Sequence, residues 1–533
     1  MTKKIIKLLL ITSSIIFLAI FYLSIIGIKT DKFNSQISNN ILKINKKINL
    51  NLGDVNYLLN PYNFTVNINT KNPQIRLEGR NLNIKSIKTN VALKALINDQ
   101  FSIDDLKITT KEIKLNDIIA LTRLIKNSTQ LFILDTIIKN GVVIANIDLS
   151  FDEQGRIKEN YKIEGSIKKT KLNILNHLRL DDLNFKFKIK KNIYSLNQIN
   201  TQLNDIKISS PLVEIKKNKN LFFVNGQILN EENFFDITEP KPVFANLFND
   251  LDIQKIELRS KNNFSFNINK NFKFNDLKVE SVINLDQLII DKKNLKLKTY
   301  LPSFFEKIKL EEHKIVINYH KNKFNIEGNG NILLEDKLDN LSYKIFKDNK
   351  NILFDTKIYL KNNSLLINFL DYQKKENIES LILIKGNYKK DNSLKFDLIN
   401  LKERNNEISI KDLNLNKDFK IVDIKNFNFK YKNNKNIINN LNIKKDNSNF
   451  IIEGVSFDAS KMINAIIDND DEKVSIFEDL NSKINISIKK TYIDEINYFN
   501  NLNGFISFKN NKINNLRLES IFPNQKKFNF SIK

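Results

Sequence analysis

Residues 63–69, NFTVNIN, set Phe64, Val66 and Ile68 on one side of an extended chain and Thr65, Asn67 and Asn69 on the other. The same rhythm returns as FKFKIK at 185–190, FSFNIN at 264–269, FNFKYK at 427–432 and FNFSIK at 528–533. Successive side chains of a strand point to opposite faces, so a period of two specifies strands with one apolar and one solvated face. Something must cover that apolar face, and its identity is the functional question. The lining residues expected from parity are Phe64, Val66, Ile68, Phe185, Phe187, Ile189, Phe264, Phe266, Ile268, Phe427, Phe429 and Tyr431.

Further period-two pairs occur at Ile75 and Leu77, Leu295 and Leu297, Ile315 and Ile317, Ile358 to Leu360, Leu394 to Leu398, Leu413 and Leu415, Ile484 to Ile488, and Leu516 and Leu518. Polar clusters such as 216–220, 347–351, 361–363, 389–393 and 432–436 separate the strands, and their Asn and Asp residues tolerate left-handed turns without glycine. The GNG at 328–330 reads as a strand-linking turn, and LNIKSIK at 82–88 implies a bulge at Ser86 that reverses parity. Helical patterns are sparse: Phe33–Lys46, Asp117–Lys126, Pro242–Leu251 and Ser460–Ile467, with a short turn after Pro302, all read as covers on the sheet. The expected fold is mostly β: an N-terminal transmembrane helix, then an elongated, twisted antiparallel β-sheet groove with a few short covering helices.

The segment Leu8–Ile28 carries no charge, and about 20 apolar residues suffice to cross a bilayer. Lys3, Lys4 and Lys7 precede it and Lys29 and Lys32 follow, which favours a cytoplasmic N-terminus with the bulk of the chain outside. Ser24–Gly27 is a poor match to a small-x-small cleavage site, so the segment reads as an uncleaved single-pass anchor. The expected divisions are 1–28, tip and anchor; 29–150, a membrane-proximal module; 151–450, a repetitive β-groove; and 451–533, its continuation.

The net charge of +25 raises nucleic acid as a partner. Lys alternates with Asn instead of forming basic blocks, and Trp is absent, the pattern that AT-rich codons produce, so no nucleic-acid binding is expected. The absence of Cys excludes a disulfide framework and thiolate chemistry. His177, His313 and His320 form no ligand motif, and the last two flank the strand 315–319 as solvated strand-end residues. The acidic run Asp468–Glu472 meets Lys473 where a calcium loop needs glycine. No catalytic, metal or cofactor site is expected, and the chain reads as a non-enzyme.

The anchor, the segment 48–109 beginning INLNLGDVNYLLN, LFILDTIIKNGVVIANID at 131–148, FFVNGQILN at 222–230, IIEGVSFDASKMINAI at 451–466 and the strands of 484–520 resemble, in rhythm and element order, the AsmA-like family of bacterial envelope proteins with its TamB and YhdP relatives. That resemblance implies a repeating, taco-shaped β-groove anchored in the inner membrane and extending through the periplasm. It also implies phospholipid transport or homeostasis between inner and outer membranes, with phospholipids, the inner membrane and outer-membrane or other envelope proteins as partners. The alternative is a structural or assembly factor for outer-membrane protein biogenesis, whose apolar face is filled by a second layer of its own chain.

Overall fold

The computed structural model describes residues 2–32, 34–35, 38, 48–77, 80–93, 103–125, 129–152, 156–174, 178–204, 206–218, 221–231, 234–236, 252–269, 271, 273–291, 307–389, 393–461 and 477–532. Most of them lie in strands, as the period demands. They group into two compact units, one chiefly Met1–Glu231 with Asn263–Asp276, the other chiefly Phe244–Asn262 with Leu277–Lys533. Each is built on open, twisted antiparallel sheet, and no closed barrel occurs among the described residues.

The first unit begins with helix α1, Thr2–Ile25, whose 24 residues span about 36 Å, enough to cross a bilayer. It stops short of Ile28, where the uncharged run ends. Gly27, at φ 72°, closes the helix with its N–H donated to the Tyr22 carbonyl at 3.1 Å. The chain then enters strand Ile28–Thr30, which pairs with Val55–Asn60. From there the sheet grows through Thr65–Lys71, Arg80–Ala92, Ile103–Thr110, Ile138–Ser150, Lys162–Ile174, Leu178–Lys190, Ile193–Leu203, Ile206–Asn218 and Leu221–Asn230. The register skips between Ile84 and Ser86, at the expected bulge. Residues before it turn away to pair with Gln74–Leu77, which with Ile48–Asn51 forms a small second layer. Helix α2, Leu115–Ile125, matches the expected amphipathic segment, and α3, Thr129–Ile137, was not legible; Arg123 bonds Asp135 across them at 2.6 Å.

The second unit is a meander from the strand ending at Asp291 through Lys307–His320, Lys323–Leu333, Leu338–Lys347, Asn351–Leu360, Ser380–Lys389, Leu394–Glu403, Asn406–Leu415, Ile421–Lys432, Ile438–Asp446 and Asn449–Asp458. Asn322, Asn436, Asn447, Asn510 and Asn511 take left-handed turn conformations, the role foreseen for asparagine. One step departs from the meander: Asn449–Asp458 lies parallel to Ser482–Tyr492, with Phe450 opposite Ile484. Parallel neighbours need a crossover that returns the chain to the same end. The helix expected at Ser460–Ile467 starts there with Ser460 and Lys461; its remainder lies outside the described residues, as do 242–251, the turn after Pro302, most of 33–46, Leu295, Leu297, His177 and 468–473. Tyr498–Lys509, Lys512–Ile521 and Lys527–Ile532 complete the sheet.

Two devices shape these sheets. Lys169, Asp182, Glu312 and Asn501 sit mid-strand at φ near +50° beside register skips, and such bulges bend a strand and raise its twist. The second device is glycine beneath a ring. Gly328 and Gly330 lie inside strand Lys323–Leu333, not in a turn, with Tyr343 and His313 lying over them. Gly165 faces Phe187, Gly226 lies under Phe264, and Gly386 faces both Phe354 and Phe396. A side chain at these positions would prop the ring off the sheet. At Gly386 a Cβ would meet the Lys395 carbonyl oxygen at 2.2 Å and the Phe354 ring at 2.8 Å. Gly386→Ala is therefore expected to destabilise the second unit by about 1–3 kcal/mol, read as a lowered denaturant midpoint; an unchanged midpoint would refute this role.

Candidate functional site

Residues directly opposed across a strand pair share a face. In the first unit, Ile108, Ile147, Ile163, Ile189, Tyr194, Ile215 and Val224 are successive partners, an unbroken apolar row across neighbouring strands. One residue along, the row reads Asn146, Glu164, Lys188, Ser195, Glu214 and Asn225. The next is apolar again, with Ala145, Gly165, Phe187, Leu196, Val213 and Gly226. In Leu178–Lys190 the lysines 186, 188 and 190 are exposed, while Phe185, Phe187 and Ile189 are half-buried. Half-burial leaves part of each side chain open to solvent, although Phe187 also touches the cluster around Val143. Phe264, Phe266 and Ile268 are likewise half-buried, with the two rings stacked at 5.8 Å.

The second unit carries a longer row of the same kind. It runs from Ile283 through Ile315, Gly328, Tyr343, Thr356 and Ile384 to Ile399, then through Ile410, Phe427, Ile443, Ile452, Ile486, Gly504 and Leu518 to Phe530. Apart from Gly328, which is buried, and Phe530, which is exposed, its members are half-buried. On the opposite face Glu327, Lys344, Asp355 and Lys385 are successive partners, with ion pairs at 3.1 and 2.8 Å. Alternating charge on a solvated sheet face accounts for many of the lysines without a polyanionic partner.

Parts of the apolar face are roofed by the chain itself. Ile68 is buried with Val55 and Val91 beneath Leu50 and Leu52, at the small second layer, while Val66 is half-buried beside them. Around Val143 the roof is α2, through Leu115 and Ile118. The largest roof lies in the second unit. Strands Asn351–Leu360 and Ser380–Lys389 pair at Leu360 and Ser380, and between them residues 361–379 leave the sheet as a small hairpin, Leu365–Ile367 with Tyr372–Lys374. Its Leu370 and Tyr372 pack on Leu401, Ile408, Phe429, Tyr431 and Leu441, leaving Phe429 and Tyr431 each 2% exposed. Phe427 is packed against this cluster but only partly buried.

Polar bonds hold that roof in place. Tyr431 donates its hydroxyl to the Leu370 carbonyl at 2.6 Å, and Tyr372 donates to Glu403. Asp339 accepts the N–H groups of Lys361, Asn362 and Asn363 at 2.7, 2.8 and 3.2 Å. Lys374 is fully buried with its ammonium on the carbonyls of Lys361 and Asn363, at 2.8 and 2.6 Å. Burial pushes its pKa down, and the charges of Asp339 and Glu403 oppose that shift. Burial, and then the hydrogen bond to Glu403, push the Tyr372 hydroxyl far up, so both it and the Tyr431 hydroxyl stay protonated donors. Period two reveals Phe429 and Tyr431, but nothing in it marks 361–379 as their cover.

Phe64 is not on the apolar face. It occupies the four-residue hairpin tip closed by Asn60 and Thr65, at φ 50° and 72% exposed. The tip needs a left-handed residue, and alternation cannot continue through it. His313 departs in the other direction: it is 1% exposed, because the skip between Glu311 and Lys314 turns it inward over Gly330. Its Nε2 lies 2.9 Å from the Asn331 carbonyl oxygen. His320 is exposed at the strand end. Among the described residues no three His, Asp or Glu converge as metal ligands. Compared with protein-family models, curated proteins and solved structures, the chain matches none.

Burial lowers the His313 pKa from its ordinary 6.5, and the Asn331 bond only partly offsets this. Between the lowered native value and 6.5 the unfolded chain binds a proton that the native chain does not, so stability rises with pH in that window. The denaturant midpoint of the second unit is expected to fall from about pH 7.5 to about pH 5.5, and His313→Gln to flatten that slope; an unaltered slope in the variant would contradict the assignment.

Proposed function

We propose that the protein is a non-enzymatic, membrane-anchored lipid carrier of the AsmA-like kind, whose unroofed apolar rows hold phospholipid acyl chains for transport or homeostasis in a bacterial envelope. The observation that carries this reading is the half-burial of rows such as Ile108 to Ile215, opposite a face of exposed lysine and paired charge. A row of Ile and Phe against water is costly. An acyl chain removes that cost at ~0.8 kcal/mol per methylene buried, without any bond being made. The three lysines at the start of α1, ahead of its apolar run, support an inner-membrane anchor with a cytoplasmic N-terminus and the sheets in the periplasm.

The second reading, an assembly factor with a closed β core, is favoured by the hairpin over Phe429 and Tyr431 and by the layer over Ile68. Both roofs are local, whereas the half-buried rows extend well beyond them. Native mass spectrometry of the full chain in mild detergent, with lipid extraction, separates the readings. Several phospholipids per chain are expected, and fewer in a Phe185→Asp, Ile189→Asp variant whose circular dichroism stays native. A lipid-free chain with native circular dichroism would favour the closed core.

A further inference from the structure

The hairpin tip that removes Phe64 from the sheet face places it elsewhere to some effect. Tyr62 and Phe64 are 94% and 72% exposed, among the most exposed large side chains outside α1. Their hairpin starts from Val55–Asn60, which runs antiparallel to the strand leaving the anchor, with Thr30 opposite Val55 and Ile28 opposite Tyr57. Three residues further at ~3.3 Å each carry the chain about 10 Å back along the anchor. On that path a Cβ at Gly27 would meet the Tyr57 carbonyl oxygen at 2.5 Å and the Leu58 side chain at 2.9 Å, and α1 lies against this same strand. The tip thus reaches the level at which the apolar helix ends.

Two exposed aromatic rings among Asn60, Pro61 and Asn63, beside the end of a membrane-spanning helix, have the composition of an interfacial aromatic belt. Phe64 also holds a left-handed conformation that a bulky side chain adopts at a cost, yet the ring gains no packing from it. We propose that residues 61–64 insert Tyr62 and Phe64 into the headgroup and acyl boundary of the bilayer crossed by α1. This second foothold fixes how the first strands meet the lipid. The inference rests on α1 spanning the bilayer and is independent of lipid carriage by the sheets.

The chain lacks Trp, so single substitutions report alone. Full-length Phe64→Trp and, separately, Phe17→Trp are reconstituted in nanodiscs of phosphatidylcholine brominated either near the headgroup end of the acyl chains or near their termini. Phe64→Trp is expected to emit blue-shifted and to be quenched several-fold more by the shallow bromines, with Tyr62→Trp behaving alike. Phe17→Trp should be quenched by the deep ones. Water-like emission unaffected by either lipid at both tip positions, with Phe17→Trp still quenched, would overturn the proposal. An unquenched Phe17→Trp would instead remove the spanning helix on which it rests.

Discussion

Most of the described strands present apolar side chains at one parity and polar ones at the other, and the cost of leaving the apolar parity against water governs what is built upon it. At roughly 25 cal/mol per Å², even a few uncovered rows amount to a large penalty. The chain meets it in three ways. Ile68, Val55 and Val91 lie under a second layer, Val143 lies under α2, and Phe429 and Tyr431 lie under the hairpin 361–379. Elsewhere most members of the rows remain half-buried among the described residues.

The roof over Phe429 shows what a permanent cover looks like here. It brings buried bonds with it: Asp339 on three amides, Lys374 on two carbonyls, and the hydroxyls of Tyr372 and Tyr431 on Glu403 and Leu370. Such bonds fix one arrangement, because a buried polar group left unpaired is expensive. The proposed lipid occupant of the rows through Ile189 and Phe266, being fluid, would call for no such fittings. Left-handed bulges bend the strands, and glycines make room for rings from neighbouring strands.

What was legible follows from what a period can encode. Alternation located the strands around Phe187, Ile317 and Phe427, and the interruption at Ser86 marked a real bulge. The failures share a cause, which is that parity counts residues whereas bulges and turns change the count. Phe64 fell in a turn, and a skipped register carried His313 inside. Gly328 and Gly330 looked like a turn because glycine usually signals one, but asparagine makes the turns in this chain and glycine accommodates rings from neighbouring strands. The hairpin 361–379 and the parallel step at Asn449–Asp458 depend on contacts distant in sequence, which no local pattern records.

The central claim is that the unroofed parity touches lipid and its opposite does not. A photoreactive benzophenone side chain placed at Ile189, at Phe266 or at Lys188 of the full-length chain in native membranes tests this with one-residue resolution. Irradiation followed by mass analysis of the purified chain should yield phospholipid adducts at Ile189 and Phe266 and none at Lys188. Protein adducts alone at Ile189 and Phe266, or lipid adducts equally at all three positions, would contradict the account.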